Sequence, residues 1–398
     1  MIGKITENCV GCRACEQICA KHCISMKSDD EGFLIPVVDD SACVDCGLCV
    51  KTCPQNKEPK KPELCDVYAL IANDKNLLLK SSSGALFAVL AKTIIENGGF
   101  VAGCVFNSDI VAQHIVTNDI NDIIKLQSSK YVQSDTMHVY AEVRTLLQEG
   151  KTVLFSGTGC QVAALKAFLK KDYINLYTCD LICHGVPSPK LFEKYKEWWS
   201  IRKQGKVREV NFRDKKKQGW GLGYKVKVKV KEHDYYSFAH LDPYYFHFIE
   251  GNIYRRCCYD CHYNHKNRLS DITMGDYWGL LDFHPEFYDL NGVSVAVVNT
   301  SKGAELLKDN FNKFRWISSE FNYASKANKN LVGPTKCNDK IRNQIYKDID
   351  QLDAITYFKR NFPMSDVEMA KFWLKSKFPS GFKLKIKKFI KKFKGAKV

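Results

Sequence analysis

Two runs of cysteine near the start constrain this chain more than any other feature. The first reads Cys9-x2-Cys12-x2-Cys15-x3-Cys19 and the second Cys43-x2-Cys46-x2-Cys49-x3-Cys53-Pro54. A short loop with a cysteine at every third residue wraps three corners of an iron–sulfur cubane, and the remote cysteine of each run reaches the other cubane. By that crossover Cys9, Cys12, Cys15 and Cys53 make one quartet, and Cys43, Cys46, Cys49 and Cys19 the other. A zinc site draws on pairs of cysteines rather than on two runs of four, so the doubled run favours two 4Fe-4S clusters. Gly11 and Gly47 fall where the backbone must come close to inorganic sulfide. Cys23, just after the first run, reads as a small buried apolar residue.

The chain has 398 residues and 18 cysteines. Patterned cysteines in a reducing compartment point to metal or redox chemistry rather than to disulfides. Met1 to Ile5 run straight into the first motif without an apolar leader, and no stretch approaches the run of about 20 apolar residues that spans a bilayer. A cytoplasmic location is therefore expected. The formal net charge is +16, which anionic clusters would reduce. The remaining basicity suits an acidic electron carrier or a membrane surface; with no recognisable binding module, nucleic acid is not expected as a partner.

Texture changes along the chain. Residues 1–56 are cysteine-dense, and 57–66 are polar and proline-spaced, as in a linker. From Val67 strand and helix patterns alternate: strands at 67–72, 100–106, 152–155 and 175–182, helices at 84–97, 137–149 and 161–170. Lys225 to Lys231 alternates lysine with valine, the pattern of a strand with one wet face. A further strand at 294–299 leads into a helix expected to reach about Asn312. The fold class expected is an α+β N-terminal domain of ferredoxin-like type followed by a mixed α/β domain over 67–335, with a helical region over 336–398.

Four later cysteines stand out. Cys160 lies at a strand-to-helix turn, Ser156-Gly157-Thr158-Gly159-Cys160-Gln161, where free backbone amides favour an anion. Cys183 ends a strand and enters His184-Gly185-Val186-Pro187, and Cys258-x2-Cys261 occupies an irregular loop. Together they would form a four-thiolate set for which, on spacing alone, zinc serves as well as iron. Cys65, Cys104, Cys179, Cys257 and Cys337 read as packing or incidental thiols.

In order, these motifs resemble the coenzyme F-420 hydrogenase/dehydrogenase beta-subunit family, in the form with an N-terminal two-cluster ferredoxin domain. The resemblance covers about residues 1–300. It rests also on Ser82-Ser83-Gly84-Ala85, Ser129-Lys130-Tyr131-Val132-Gln133 and Asp271-Ile272-Thr273-Met274-Gly275-Asp276. It implies FAD, a flavin-binding role for the mixed domain, and a third 4Fe-4S cluster on Cys160, Cys183, Cys258 and Cys261. It further implies that Ser83, Gly84, Lys130, Tyr131, Thr158 and Gln161 line the flavin pocket. Two positions depart from the family pattern: Gly159 stands where proline is usual, and Ala85 where a second glycine is. His184 is a candidate for proton relay at the flavin, with support of a neighbouring thiolate as the competing role.

The tail over 382–394 places Phe382, Ile386, Phe389, Ile390 and Phe393 on one helical face among lysines, the composition of a helix lying on anionic lipid. A frayed terminus covering a groove is the competing reading. The function the family resemblance implies is a flavin- and iron–sulfur-dependent oxidoreductase that passes electrons between a ferredoxin-type carrier and a small molecule, with surface-polysaccharide metabolism as one setting. The alternative is a non-catalytic subunit delivering electrons to a partner protein.

Overall fold

The computed structural model describes residues 8–56, 64–216, 219–221, 225–362, 366–378, 381–382 and 384–386. Most of the expected linker and most of the 382–394 tail lie outside the described residues.

Between the two cysteine loops, β1 (Ile24–Ser28) pairs antiparallel with β2 (Leu34–Val38). Each loop runs into a short helix, Ala14–Gln17 or Leu48–Thr52, entered through a left-handed residue, Arg13 or Gly47. Gly11 also has positive φ, and a Cβ there would come within 2.3 Å of Gln133 Nε2 and 2.7 Å of Arg255 Nη1. Its φ of +66° by itself favours glycine, and the side-chain ends of Gln133 and Arg255 from the large unit pack against the space a Cβ would take. At Gly47 nothing lies within 4 Å of a built Cβ, so its φ of +70° alone accounts for glycine.

The large unit is built on an eight-stranded sheet. Its strands are β3 (Asp66–Ala72), β4 (Phe100–Phe106), β5 (Ala112–Thr117), β6 (Val153–Gly157) and β7 (Leu176–Leu181). A separate antiparallel meander follows, β8 (Val207–Asp214), β9 (Lys225–Val230) and β10 (His233–Phe238), before β11 (Ile272–Asp276), β12 (Ser294–Val298) and β13 (Phe314–Ser319) return to the main sheet. The spatial order is β13-β3-β12-β11-β7-β6-β4-β5. The central strands β11, β7, β6 and β4 are parallel and the flanking ones antiparallel. Every residue of β6 and β12 is buried, which is why both read as unbroken apolar runs rather than as alternating strands. In β9, by contrast, only Val226, Val228 and Val230 are buried.

Helices Val139–Gln148 and Gly159–Leu169 share one core with the sheet residues Ala102, Val153 and Phe155, and Cys12 and Ala14 belong to the same core. The β8–β10 meander packs on helices Pro189–Lys203, Pro243–Ile249, Asp339–Lys347 and Ala354–Asn361, with Phe33 of the N-terminal hairpin inserted among them. The N-terminal unit is thus joined to the rest by shared apolar burial on two sides. The helix expected to reach Asn312 ends at Lys308. There the Asn310 side chain donates to the Leu306 carbonyl at 2.8 Å, the local competition that makes asparagine a poor residue for a helix interior. Among the described residues, no helix is long and apolar enough to cross a membrane.

The carboxyl ends of the parallel strands place chemistry along one edge. β6 ends into Thr158-Gly159-Cys160, β7 into Ile182-Cys183-His184, and β11 at Asp276. Open α/β sheets hold ligands in the crevice at that edge.

Candidate functional site

Among the N-terminal thiols, Cys9, Cys12, Cys15 and Cys53 gather as one group, and Cys19, Cys23 and Cys43 as another. Burial pushes the Cys15 thiol up to about 12, and neighbouring Cys9 and Cys53 add to the shift. Burial also raises Cys12 well above the usual thiol range, followed by the fields of Cys15, Cys9 and Cys53. Cys53 of the second run therefore sits with three members of the first. In the other group, Cys19 Sγ lies 3.4 Å from Cys23 Sγ, and Cys23 also meets Cys43. Cys23 is buried, as expected, and it touches members of a quartet, which the sequence reading did not include.

All 18 cysteines are free thiols. A buried thiol whose pKa is raised is uncomfortable as a bare thiolate, and bound iron removes the proton and supplies the compensating charge. The donor set therefore fits cubane clusters held by thiolates, and the Gly11 amide donates to Cys9 Sγ at 3.3 Å, the kind of contact that tunes such a cluster. Among the described residues, no three His, Cys, Asp or Glu side chains converge tightly enough for a single metal ion. A cubane holds its thiolates farther apart than a tetrahedral ion does.

Cys160, Cys183 and Cys261 come together around the turn at Cys160, and the member of the Cys257-Cys258 pair that reaches them is Cys257. Thr158 caps helix Gly159–Leu169 reciprocally with Gln161, and Thr158 Oγ1 lies 3.0 Å from Cys160 Sγ. Burial pushes Cys160 up to about 12, with Cys261 the next contributor and Cys257 a smaller one. Cys183 is raised by burial and then by Cys160 and Cys261. Cys258 packs beside the aromatic core, and Tyr254 feels both Cys183 and Cys258. Cys257, read from sequence as incidental, is buried and within the reach of Cys160 and Cys261. Its S–H donates to the Cys9 carbonyl at 3.2 Å. Nothing in the spacing distinguished it from its neighbour.

Cys160 and Cys183 open onto a cavity of about 420 Å³ whose wall also includes Ser83, Lys130, Tyr131, Thr158, Gln161 and His184. Gly84 is not on that wall: it sits where a Cβ would strike the Leu70 carbonyl and the Ser294 amide, so it is glycine to pass the sheet. Lys130 donates to the carbonyls of Lys125, Leu126, Gln127 and Ser128 at 2.7–3.2 Å. Its ammonium group is thus committed to capping the end of helix Ile123–Leu126, and burial lowers its pKa to about 8. Ser83 bonds Ser294 at 2.8 Å, and Gln161 donates to Ser134 at 2.9 Å. Burial lowers the pKa of His184, with Asp276 partly opposing, so its imidazole is neutral near pH 7.

Three cavity residues were missed or misjudged at the level of sequence. Asp276, the last residue of the Asp271–Asp276 motif, accepts hydrogen bonds from both Nη groups of Arg213 at 2.8 Å. Arg213 in turn donates to Tyr131 Oη at 3.0 Å, fixing that end of the cavity. His114 Nε2 lies 3.2 Å from the Ser156 carbonyl, while its Nδ1 is buried without a hydrogen-bond partner. Burial pushes His114 down to about 4, so Nδ1 is a lone-pair acceptor on the cavity wall that suits a donor from a bound molecule.

Residues 150–316 match the family model described as the C terminus of the coenzyme F-420 hydrogenase/dehydrogenase beta subunit, and residues 8–57 match that of a 4Fe-4S dicluster domain. Ferredoxin-3 of Chlorobaculum tepidum is 44% identical over 57 residues, which are 13% of this chain and 84% of that protein. A chain of the F-420-reducing nickel–iron hydrogenase complex of Methanosarcina barkeri matches with a TM-score of 0.45 and 16% identity, over 76% of this chain and 91% of that one. The protein is thus of the oxidoreductase class and carries electrons on iron–sulfur clusters. Its residues 150–316 are those of the C-terminal domain of a coenzyme F-420 hydrogenase/dehydrogenase beta subunit, and its residues 8–57 those of a 4Fe-4S dicluster domain.

Proposed function

We propose that the chain is an iron–sulfur flavoprotein that moves electrons from its N-terminal quartets, through a third cluster on Cys160, Cys183, Cys258 and Cys261, to FAD in the adjoining cavity and on to a small molecule. The observation that carries this reading is that Cys160 and Cys183 stand in the wall of the cavity while Cys257, beside Cys258, bonds the Cys9 carbonyl. A bound flavin would supply exchange of electrons singly or in pairs. The residues around it bind and orient. The first turn of helix Gly159–Leu169 offers amides and a positive dipole end to a phosphate, and His114 Nδ1 accepts a hydrogen bond. Neutral His184 holds a proton on one ring nitrogen within the cavity, the state required of a relay.

An anaerobic preparation assayed for iron, sulfide and extracted flavin tests the reading. About 12 irons per chain correspond to three cubanes and about 8 to the N-terminal pair alone. Flavin absent from a protein with its full iron content favours the second reading, a subunit that hands electrons to a partner protein, which the family's description as a beta subunit supports.

The partners proposed are a ferredoxin-type carrier and an anionic membrane surface. Exposed Trp373, Leu374, Phe378, Phe382 and Ile386 beside lysines support the latter.

A further inference from the structure

Tyr263 fills the seam between the N-terminal unit and the turn that bears Cys160. Its hydroxyl donates to the carbonyl of Pro54, the residue after Cys53, at 2.8 Å in a buried setting. At its other end, a Cβ built on Gly159 would come within 2.8 Å of Tyr263 Cβ and 3.2 Å of Asp180 Oδ2. The side chain is 3% exposed and stands two positions after Cys261. The strongest fields at its hydroxyl, after burial, come from Cys160, then Cys12, Cys261 and Cys53. One residue therefore packs on the backbone of one thiolate set and bonds the backbone of another. This contact also gives Gly159 a physical reason: any side chain there would displace Tyr263.

Building on the function proposed above, we propose that Tyr263 is the bridge that sets electron passage between the Cys9, Cys12, Cys15, Cys53 quartet and the Cys160 set. An electron tunnels between buried centres at a rate that falls exponentially with the gap, and the fall is gentler through bonded or packed atoms than through a void. The ring fills the gap, and the hydroxyl bond to Pro54 fixes its width. One electron leaves one centre and arrives at the other, and no proton or atom is transferred. Tyr263 acts as a positioning residue; it is not itself oxidised.

The test uses full-length protein purified without oxygen, with Tyr263→Phe and Tyr263→Leu as variants. Reduced ferredoxin is mixed in, and rapid-freeze EPR follows the arrival of electrons at the large-unit centre. Iron content and the midpoint potential of each centre are measured alongside, since a change in either would mark a merely structural effect. The expected result is unchanged iron and potentials, transfer slowed several-fold in Tyr263→Phe, and by an order of magnitude or more in Tyr263→Leu. A Tyr263→Phe protein that transfers electrons as fast as the native chain overturns the proposal, whatever Tyr263→Leu does. Native protein with about 8 irons instead of about 12 is a different failure: it removes the third cluster and with it both the function proposed above and the bridge.

Discussion

Arg255 Nε donates to the backbone carbonyl of Cys9 at 2.6 Å, joining the loop of Cys258 and Cys261 to the first ligand of the N-terminal unit. The same guanidinium group reaches the Leu34 carbonyl at 2.9 Å and Gln133 Oε1 at 3.1 Å. It is a buried cation satisfied by neutral acceptors, and it spans the junction of the two units.

Replacing it should loosen that junction. Arg255→Met removes three hydrogen bonds from a buried charged donor, a loss of about 2–4 kcal/mol. Arg13 makes a less buried pair with Asp135 and Glu16, and Arg13→Met should cost only about 1 kcal/mol. Denaturant midpoints of the two variants check the order, and equal losses would contradict the junction role of Arg255.

Iron content separates ligands from bystanders. Cys160→Ser should lower iron from about 12 to about 8 per chain while leaving the N-terminal signals intact in EPR. Cys257→Ser should keep about 12, since Cys257 bonds a carbonyl and is not one of the four proposed ligands. The reverse pattern would exchange their roles.

Stability should fall in acid through His247. Burial pushes its pKa down to about 4, only partly opposed by the Asn361 carbonyl. The unfolded chain, at the ordinary value of about 6.5, takes up a proton first as pH drops. The contribution is therefore complete above about pH 6.5 and is lost on the way down to about 4. His247→Gln removes the titration, so the slope of stability against pH in that window should be shallower by about 1.4 kcal/mol per unit. Parallel slopes for native and variant protein would count against the assignment.

Ala85 enters helix Leu86–Glu96 with φ of 67°. A left-handed alanine costs roughly 1–2 kcal/mol, and glycine relieves it at the expense of greater freedom in the unfolded chain. Ala85→Gly should raise stability by about 0.5–1 kcal/mol in denaturant titration.

Anionic vesicles should bind the full chain and lose it in salt. A chain ending after Phe362 should remain in the supernatant in the same sedimentation assay, and binding that survives the truncation would place the contact elsewhere.

Much of this protein could be read in one dimension because its strongest signals are local. A cubane needs cysteines at every third residue of one loop, and a buried parallel strand needs an unbroken apolar run. Both of these are properties of neighbouring residues, so the eight N-terminal cysteines and strands such as β6 were legible. The 382–394 face lies mostly outside the described residues. What only the folded chain decided depends on residues far apart in sequence. Gln133 and Arg255 pack against Gly11, Lys130 is spent on carbonyls, Asp276 pairs with Arg213, and Tyr263 spans from Gly159 to Pro54. Periodicity carries no information about such meetings, because they are set by how the sheet, the meander and the cysteine loops close on one another.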